Sequence, residues 1–137
     1  MVRKFAVLVA AVAVVAMAAG ASVSAHHAFA AEFDAKKPVL FKGTVTKMEW
    51  INPHVWIHID VVQPNGKTEQ WMIEGGAPNV LFKRGFSKTS LLAGTQVVVD
   101  GYRAKDGTNK MNAREITLPD GRKLFAGSSG TGAPVQQ

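Results

Sequence analysis

Alternating apolar and polar positions predict a series of short strands along most of this chain. Residues 39–50 are rich in β-branched and aromatic side chains and predict a first strand. Asn52-Pro53 interrupts the pattern, because proline has no N–H to donate to a sheet. Residues 54–62 then alternate strictly and predict a second strand. Its two faces carry Val55, Ile57, Ile59 and Val61 on one side and His54, Trp56, His58 and Asp60 on the other.

A tight turn and a pair of glycines organise the middle of the chain. Pro64-Asn65-Gly66 predicts a hairpin that leads into a third strand at residues 68–74. The strand pattern stops at Gly75-Gly76. Residues 78–84 then predict a two-turn helix, with proline at its first position and Gly85 as its stop.

Two more strands follow the helix, at residues 95–103 and 111–118, and Asp106-Gly107 turns the chain between them. Three strands, one short helix and two strands is the order found in OB-type barrels. A closed barrel also removes exposed strand edges. The sequence therefore predicts a mainly β fold, a small five-stranded OB-like barrel with one short helix between strands 3 and 4.

The start of the chain has the layout of a secretory signal peptide. Arg3 and Lys4 precede an unbroken apolar run over residues 5–19, which is short for a membrane span. Val23-Ser24-Ala25 then supplies the small residue that a signal peptidase requires before the cleaved bond. Cleavage after Ala25 would make His26 the first residue of the mature protein.

Other cleavage sites remain open. Ala19-Gly20-Ala21 fits the same rule but lies almost against the apolar run, and cleavage after Ala30 would remove both His26 and His27. Cleavage after Ser24 would make His27 the third residue, an arrangement that also favours Cu(II) or Ni(II).

The chain therefore divides into four predicted segments. These are a signal peptide at residues 1–25, a lead-in at 26–38, a barrel domain at 39–126 and a disordered Gly/Ser/Ala-rich tail at 127–137. Removal of the signal from the 137 residues leaves 112, the size of one domain. Because no second long apolar stretch follows, we predict a periplasmic or secreted protein without a membrane anchor after processing.

The amino-acid composition excludes several kinds of chemistry and partner. The chain has no cysteine, which excludes disulfides, a cysteine nucleophile and lipid attachment at the cleavage site. It carries 16 Lys and Arg against 10 Asp and Glu, and loss of Arg3 and Lys4 with the signal leaves a formal charge of +4. These charges are spread without a long like-charged block, which is typical of a solvated surface. We predict no nucleic-acid partner.

Several short segments form a recognisable set. They are His26-His27-Ala28-Phe29, Gly43-Thr44-Val45-Thr46, Trp50-Ile51-Asn52-Pro53-His54, Gly94-Thr95 and residues 101–107. Together they resemble an uncharacterised bacterial family of small exported proteins, a domain of unknown function. The resemblance covers nearly all of the mature chain and implies an exported, single-domain protein. It implies no activity, so the function has to come from the residues.

The predicted amino terminus is a candidate metal site. The amine and imidazole of His26 can chelate a transition metal, and His27, His54 and His58 also remain after processing. Deprotonating an amine with a pKa of about 7.7–8 costs only about 1 kcal/mol at pH 7. Copper is the first candidate because Cu(II) binds nitrogen sites most tightly, with nickel and zinc behind. His26 also resembles the first ligand of the histidine brace in copper monooxygenases and periplasmic copper carriers.

Strand geometry limits which histidine can join the terminus. His54 and His58 lie four residues apart on the predicted strand, roughly 13 Å along it. Nitrogen ligands of one ion lie within about 4 Å of each other, so the two histidines cannot readily share an ion. At most one of them joins His26, and His54 beside the Asn-Pro turn is the easier to reach. His58 has Met72 or Glu74 as a possible cross-strand neighbour.

A metal-free docking module is the alternative. Trp56, Tyr102, Arg103 and the surrounding loops would then bind a protein, peptide or glycan, as OB-type barrels often do. Core packing explains the tryptophans equally well, and outward-facing histidines are commonly ordinary surface residues. Met72 and Glu74 are assigned to the same ligand-binding face.

Catalytic patterns are scarce. The chain has no Gly-x-Ser-x-Gly elbow and no phosphate-binding loop. We predict that it is not an enzyme, with oxygen chemistry at a histidine brace as the remaining enzymatic possibility. The sequence thus predicts an exported, non-catalytic binding protein. Its specific form is a copper-buffering or copper-delivery protein that uses His26, His27 and one of His54 or His58.

Overall fold

The computed structural model describes residues 29–127, so the predicted signal peptide, His26, His27 and the chain beyond residue 127 lie outside the described part. Residues 29–32 are helical. The strands are β1 (Phe33–Glu49), β2 (Trp56–Val62), β3 (Thr68–Glu74), β4 (Gln96–Ala104), β5 (Lys110–Thr117) and β6 (Lys123–Phe125), and helix α1 (Pro78–Lys83) lies between β3 and β4. In this range no helix is long and apolar enough to cross a membrane.

The strands form one sheet in the order β3-β2-β1-β4-β5-β6, and β3 also pairs with β5. The β3–β5 pairing is parallel and closes five strands into a ring, whereas β6 only extends the sheet beside β5. The prediction of a mainly β, OB-like barrel with one short helix after the third strand is confirmed. The sequence pattern did not include the three-residue β6 among its five strands.

Strand β1 is long enough, at 17 residues, to pair with two neighbouring strands. Its first part pairs with β4 and its second part with β2, with an irregular register between Val45 and Lys47. Gly43 lies where the two pairings of β1 meet, and a Cβ atom there would be 2.8 Å from the backbone oxygen of Asp60. A residue with a side chain would therefore separate the two strands.

The lead-in differs from the prediction. Residues 33–38 belong to β1, with Phe33 paired to Ala104 and Pro38 paired to Tyr102 on β4. Phe29, Phe33, Tyr102 and Ala104 form a small buried cluster outside the main core. This polar stretch lacks a strand pattern of its own, and pairing with β4 decides its conformation. The N-terminal residues therefore lie fixed against the barrel from Phe29 onward.

The barrel interior is filled by the inward face that the alternation predicted. Val55, Ile57 and Ile59 are fully buried, and Trp71 and Ile73 of β3 lie beside them in the core. Helix α1 contributes Leu81, which is also fully buried. The helix ends as predicted at Gly85, whose positive φ of 83° lets Phe86 N–H return to the Leu81 carbonyl.

Candidate metal and ligand-binding face

Strands β2 and β3 present their polar side chains on one outer surface of the barrel. Trp56 lies opposite Glu74, His58 opposite Met72 and Asp60 opposite Gln70. We call these six residues the outer face. Directly opposed residues of an antiparallel pair point to the same side. Of the two predicted neighbours of His58, Met72 is the one that lies opposite it, and Glu74 lies opposite Trp56.

Neighbouring strands extend the outer face on both sides. Strand β1 places Lys47 beside His58 and Glu49 beside Trp56. Strand β5 places Lys110 beside Met72 and Asn112 beside Glu74. Two rows of side chains therefore cross four strands, and they bring together residues that are up to 65 positions apart in the sequence.

His58 is part of a partly exposed chain of polar side chains. Its Nε2 lies 2.7 Å from Glu49 Oε2, and Lys47 Nζ lies 2.8 Å from Glu49 Oε1. Hydrogen bonds from Lys47 and then His58 lower the pKa of the Glu49 carboxyl. Since the group is exposed, this chain orients His58 more than it stabilises the fold.

His54 pairs with a different and far less exposed carboxyl group. It precedes β2, and its Nδ1 lies 2.7 Å from Glu74 Oε1, with the Glu74 side chain only 7% exposed. Burial raises the pKa of Glu74 to about 7, and the nearby Glu32 raises it further while Lys110 opposes the shift. Burial also lowers the pKa of His54. Burial thus disfavours the charged form of both side chains.

The segment after the predicted cleavage site reaches this pair. Lys110 Nζ binds the Glu32 carboxylate, and the Lys105 backbone N–H donates to the Glu32 carbonyl at 2.9 Å. The Lys105 side chain donates to the Ala30 carbonyl. Phe29 is buried with its ring edge-on to Tyr102 at 5.5 Å between centroids. These contacts hold residues 29–33 against the barrel, and Glu32 lies near enough to His54 and Glu74 for its charge to favour a higher pKa in both.

A groove of about 580 Å³ lies between the outer face and the β4–β5 loop. Its lining combines a thioether with polar and charged groups, among them Lys47, His58, Met72, Asp106, Thr108 and Lys110. Both lysines have carboxylate partners, Glu49 and Glu32 respectively. The groove therefore offers hydrogen-bonding groups without a large excess of either charge. Trp56 borders this region, with Lys110 Nζ 5.9 Å from its ring centroid.

Two predicted ligand-binding residues lie apart from this groove. Tyr102 is only 3% exposed, because Phe29 and Phe33 cover its ring, and its hydroxyl accepts a hydrogen bond from Arg114. Arg103 lies over the ring of the buried Trp71 at 5.2 Å. The structure therefore places both residues in packing roles, and Tyr102 has no free ring face for a partner.

Two of the four predicted histidine ligands, His54 and His58, lie within the described residues. His26 and His27 lie outside the described residues. His54 and His58 each pair with their own glutamate, and no group of three metal-binding side chains gathers within residues 29–127. The described part of the chain therefore presents single, oriented histidines, and a tight metal site would need ligands from elsewhere.

Four residues near the site were missed by sequence reasoning. Glu32, Glu49, Lys110 and Asn112 each reach it through β1 or β5 or through the N-terminal contacts. Of these four, only Glu49 could have been found from the sequence, since it directly precedes the Trp-Ile-Asn-Pro-His segment. The others depend on long-range pairing that alternation alone does not specify.

Comparison with known proteins gives a family match and a solved structure of similar fold. A family model described as "Family of unknown function (DUF6152)" matches residues 11–113, which confirms the expected uncharacterised family. No curated protein matches the chain. The crystal structure of the mitochondrial single-stranded DNA-binding protein Rim1 from S. cerevisiae is similar in fold. The TM-score is 0.45 at 18% identity, over 61% of this chain and 94% of that one.

One prediction about partners is corrected. The sequence excluded nucleic acid because its charge is small and dispersed, but a solved structure of similar fold is that of a single-stranded DNA-binding protein. The exclusion is therefore wrong. The likeness concerns the fold and assigns no ligand to this chain.

Proposed function

We propose that this chain, which belongs to the family of unknown function DUF6152, is an exported, non-catalytic protein that binds a copper ion. The ligands are the amine and imidazole of His26 after signal cleavage, together with His54 of the barrel. His27 assists from the adjacent position. The protein would serve copper buffering or delivery in the periplasm or outside the cell.

The orientation of His54 is the observation that carries this proposal. Metal-binding histidines commonly use one ring nitrogen for the metal and donate the other N–H to a carboxylate or carbonyl. His54 has a carboxylate beside one of its ring nitrogens, since Glu74 Oε1 lies 2.7 Å from its Nδ1, and the His54 side chain is still 32% exposed. The Nε2 atom makes no hydrogen bond to another residue within 29–127, and it is the nitrogen that would meet a metal.

The anchored N-terminal segment supports the pairing of His26 with His54. Glu32 lies close enough to affect the charge states of both His54 and Glu74. From the fixed Phe29, three residues of extended chain span about 10 Å. A new terminus at His26 would therefore stay within about 10 Å of Phe29. The fixed segment reduces the entropy lost on closing the site.

The donor set favours copper. An amine and two imidazoles form a nitrogen-rich site, and among first-row divalent ions Cu(II) binds such sites most tightly. The absence of cysteine from the sequence removes the thiolates that favour zinc and Cu(I). The carboxyl group of Glu74 would orient His54 without joining the ligand set.

Substitution of His54 tests the proposal, and His58 is its matched control. The two side chains are similarly exposed, at 32% and 27%, and each lies 2.7 Å from a glutamate. In protein that begins at His26, we expect His54→Ala to weaken Cu(II) binding about 10-fold or more and His58→Ala less than about twofold. Calorimetric titration measures both. Equal affinities for the two variants would remove His54 from the site.

The groove supports a second candidate function, the docking of a peptide or glycan. Its volume of about 580 Å³ and mixed lining suit an organic ligand. The β2–β3 surface is also where OB-type barrels bind their ligands. Copper binding requires a free amine at His26, whereas docking in the groove does not. Because nucleic acid is no longer excluded, a short single-stranded oligonucleotide belongs among the probes of this groove.

A further inference from the structure

Asn112 is a buried polar residue whose side-chain oxygen is unpaired. It is only 1% exposed, and its Oδ1 atom accepts no hydrogen bond from any residue in the described range. A buried acceptor without a donor costs about 1–3 kcal/mol in general, so such an atom indicates a missing partner. The missing partner has to be a hydrogen-bond donor.

The neighbours of Asn112 define the chemistry of that donor. On β3 its register partner is Glu74, and on β4 it is Tyr102, so all three side chains leave the sheet on the same side. Glu74 uses Oε1 for His54, and its side chain is almost as buried as that of Asn112. Two buried oxygen-bearing groups therefore lie side by side on the outer side of the sheet, and a cationic donor between them would satisfy both.

We propose that Glu74 and Asn112 form a receptor for the α-ammonium group that signal cleavage creates at His26. The proposal rests on the processing site assumed in the proposed function. It adds a docking site on the barrel that holds the new terminus before any metal arrives. Glu74 then has two tasks, since one of its oxygens orients His54 and the other receives the amine.

Chain length and position agree with this occupant. Phe29 packs on Tyr102, at one end of the row Tyr102–Asn112–Glu74. The row spans about 10 Å at the usual spacing of 4.7–4.9 Å between strands. Three extended residues cover the same distance, so the amine of His26 can lie over Asn112 and Glu74 while Phe29 stays in place. An unprocessed chain would present an uncharged amide there instead of an ammonium group.

The test measures the stability of metal-free protein in the presence of a chelator. Two forms are compared, one that begins at His26 and one with Gly-Ser-Gly-Ser ahead of it, each in the unmodified, Glu74→Gln and Glu49→Gln backgrounds. We expect the extension to raise the unfolding equilibrium constant about 10-fold in the unmodified and Glu49→Gln backgrounds. In Glu74→Gln the effect of the extension should fall below about twofold. An equal effect of the extension in all three backgrounds would overturn the receptor.

Nuclear magnetic resonance gives a second readout that needs no substitution in the barrel. The side-chain amide signals of Asn112 should differ between the two forms, because only the form that begins at His26 supplies a donor to Oδ1. Unchanged Asn112 signals would refute the proposal even if Glu74→Gln fails to fold. Both receptor experiments are done without metal, so they can succeed even if the protein does not bind copper. The copper titration can likewise succeed even if Glu74 and Asn112 do not bind the amine.

Discussion

Protein that carries Gly-Ser-Gly-Ser ahead of His26 is expected to bind Cu(II) at least about 100-fold more weakly than protein that begins at His26, a loss of about 2.7 kcal/mol. The extension converts the His26 amine into a backbone amide. The chelate formed by the amine and imidazole of one residue is then lost, and separate imidazoles remain. Calorimetric titration of the two forms under identical buffer conditions measures the difference.

The length of the extension matters for this comparison. One added residue would make His27 third in the chain, and two would make His26 third, and a histidine at that position can itself bind Cu(II) through the amine and backbone nitrogens. Four added residues avoid both arrangements. Equal affinity of the two forms would show that the terminal chelate is wrong, even if copper binds at another place on the protein.

The second large effect concerns the pH dependence of stability. The comparison uses protein that carries the Gly-Ser-Gly-Ser extension, in which no terminal amine neutralises Glu74. Between pH 4.5 and pH 8, the form with Glu74 should lose up to about 3 kcal/mol of stability relative to its Glu74→Gln variant. Burial raises the folded-state pKa of Glu74 to about 7, above the ordinary value of 4.5. The buried acid therefore favours the folded state at low pH, and this contribution is lost as the pH rises through 7.

Denaturant unfolding of both proteins across this pH range measures the difference. Comparing variant with parent at each pH cancels most of the contribution of His54, whose lowered pKa acts in the opposite direction. Glu49→Gln is the control, because the pKa of Glu49 is lowered and the sign of any effect is reversed. A pH-independent difference for Glu74→Gln would mean that Glu74 ionises as an ordinary carboxyl group.

Local pattern determines much of this fold. The alternation from Val55 to Val61 correctly placed the core face of β2, and Gly85 correctly ended the helix. The turn at residues 64–66 correctly joined β2 to β3. These features depend on neighbours in sequence, so sequence alone carries their signal.

Features that depend on distant pairing were not predictable in the same way. Residues 33–38 form a strand because β4 lies beside them, although their own composition is polar. Tyr102 points out of the barrel, as alternation suggests, but Phe29 and Phe33 cover it. Asn112 meets Glu74 only because β3 and β5 pair in parallel. Register between distant strands is set by the whole sheet and leaves little trace in a single sequence.

Native mass spectrometry of protein recovered from the exported fraction of copper-supplemented cells decides whether the processed terminus binds copper. One spectrum gives both the first residue and the bound metal. We predict a mass for residues 26–137 with one copper ion, and loss of that ion in His54→Ala under the same conditions. A chain that begins beyond His27, or one that begins at His26 and carries no copper, would contradict the proposed site.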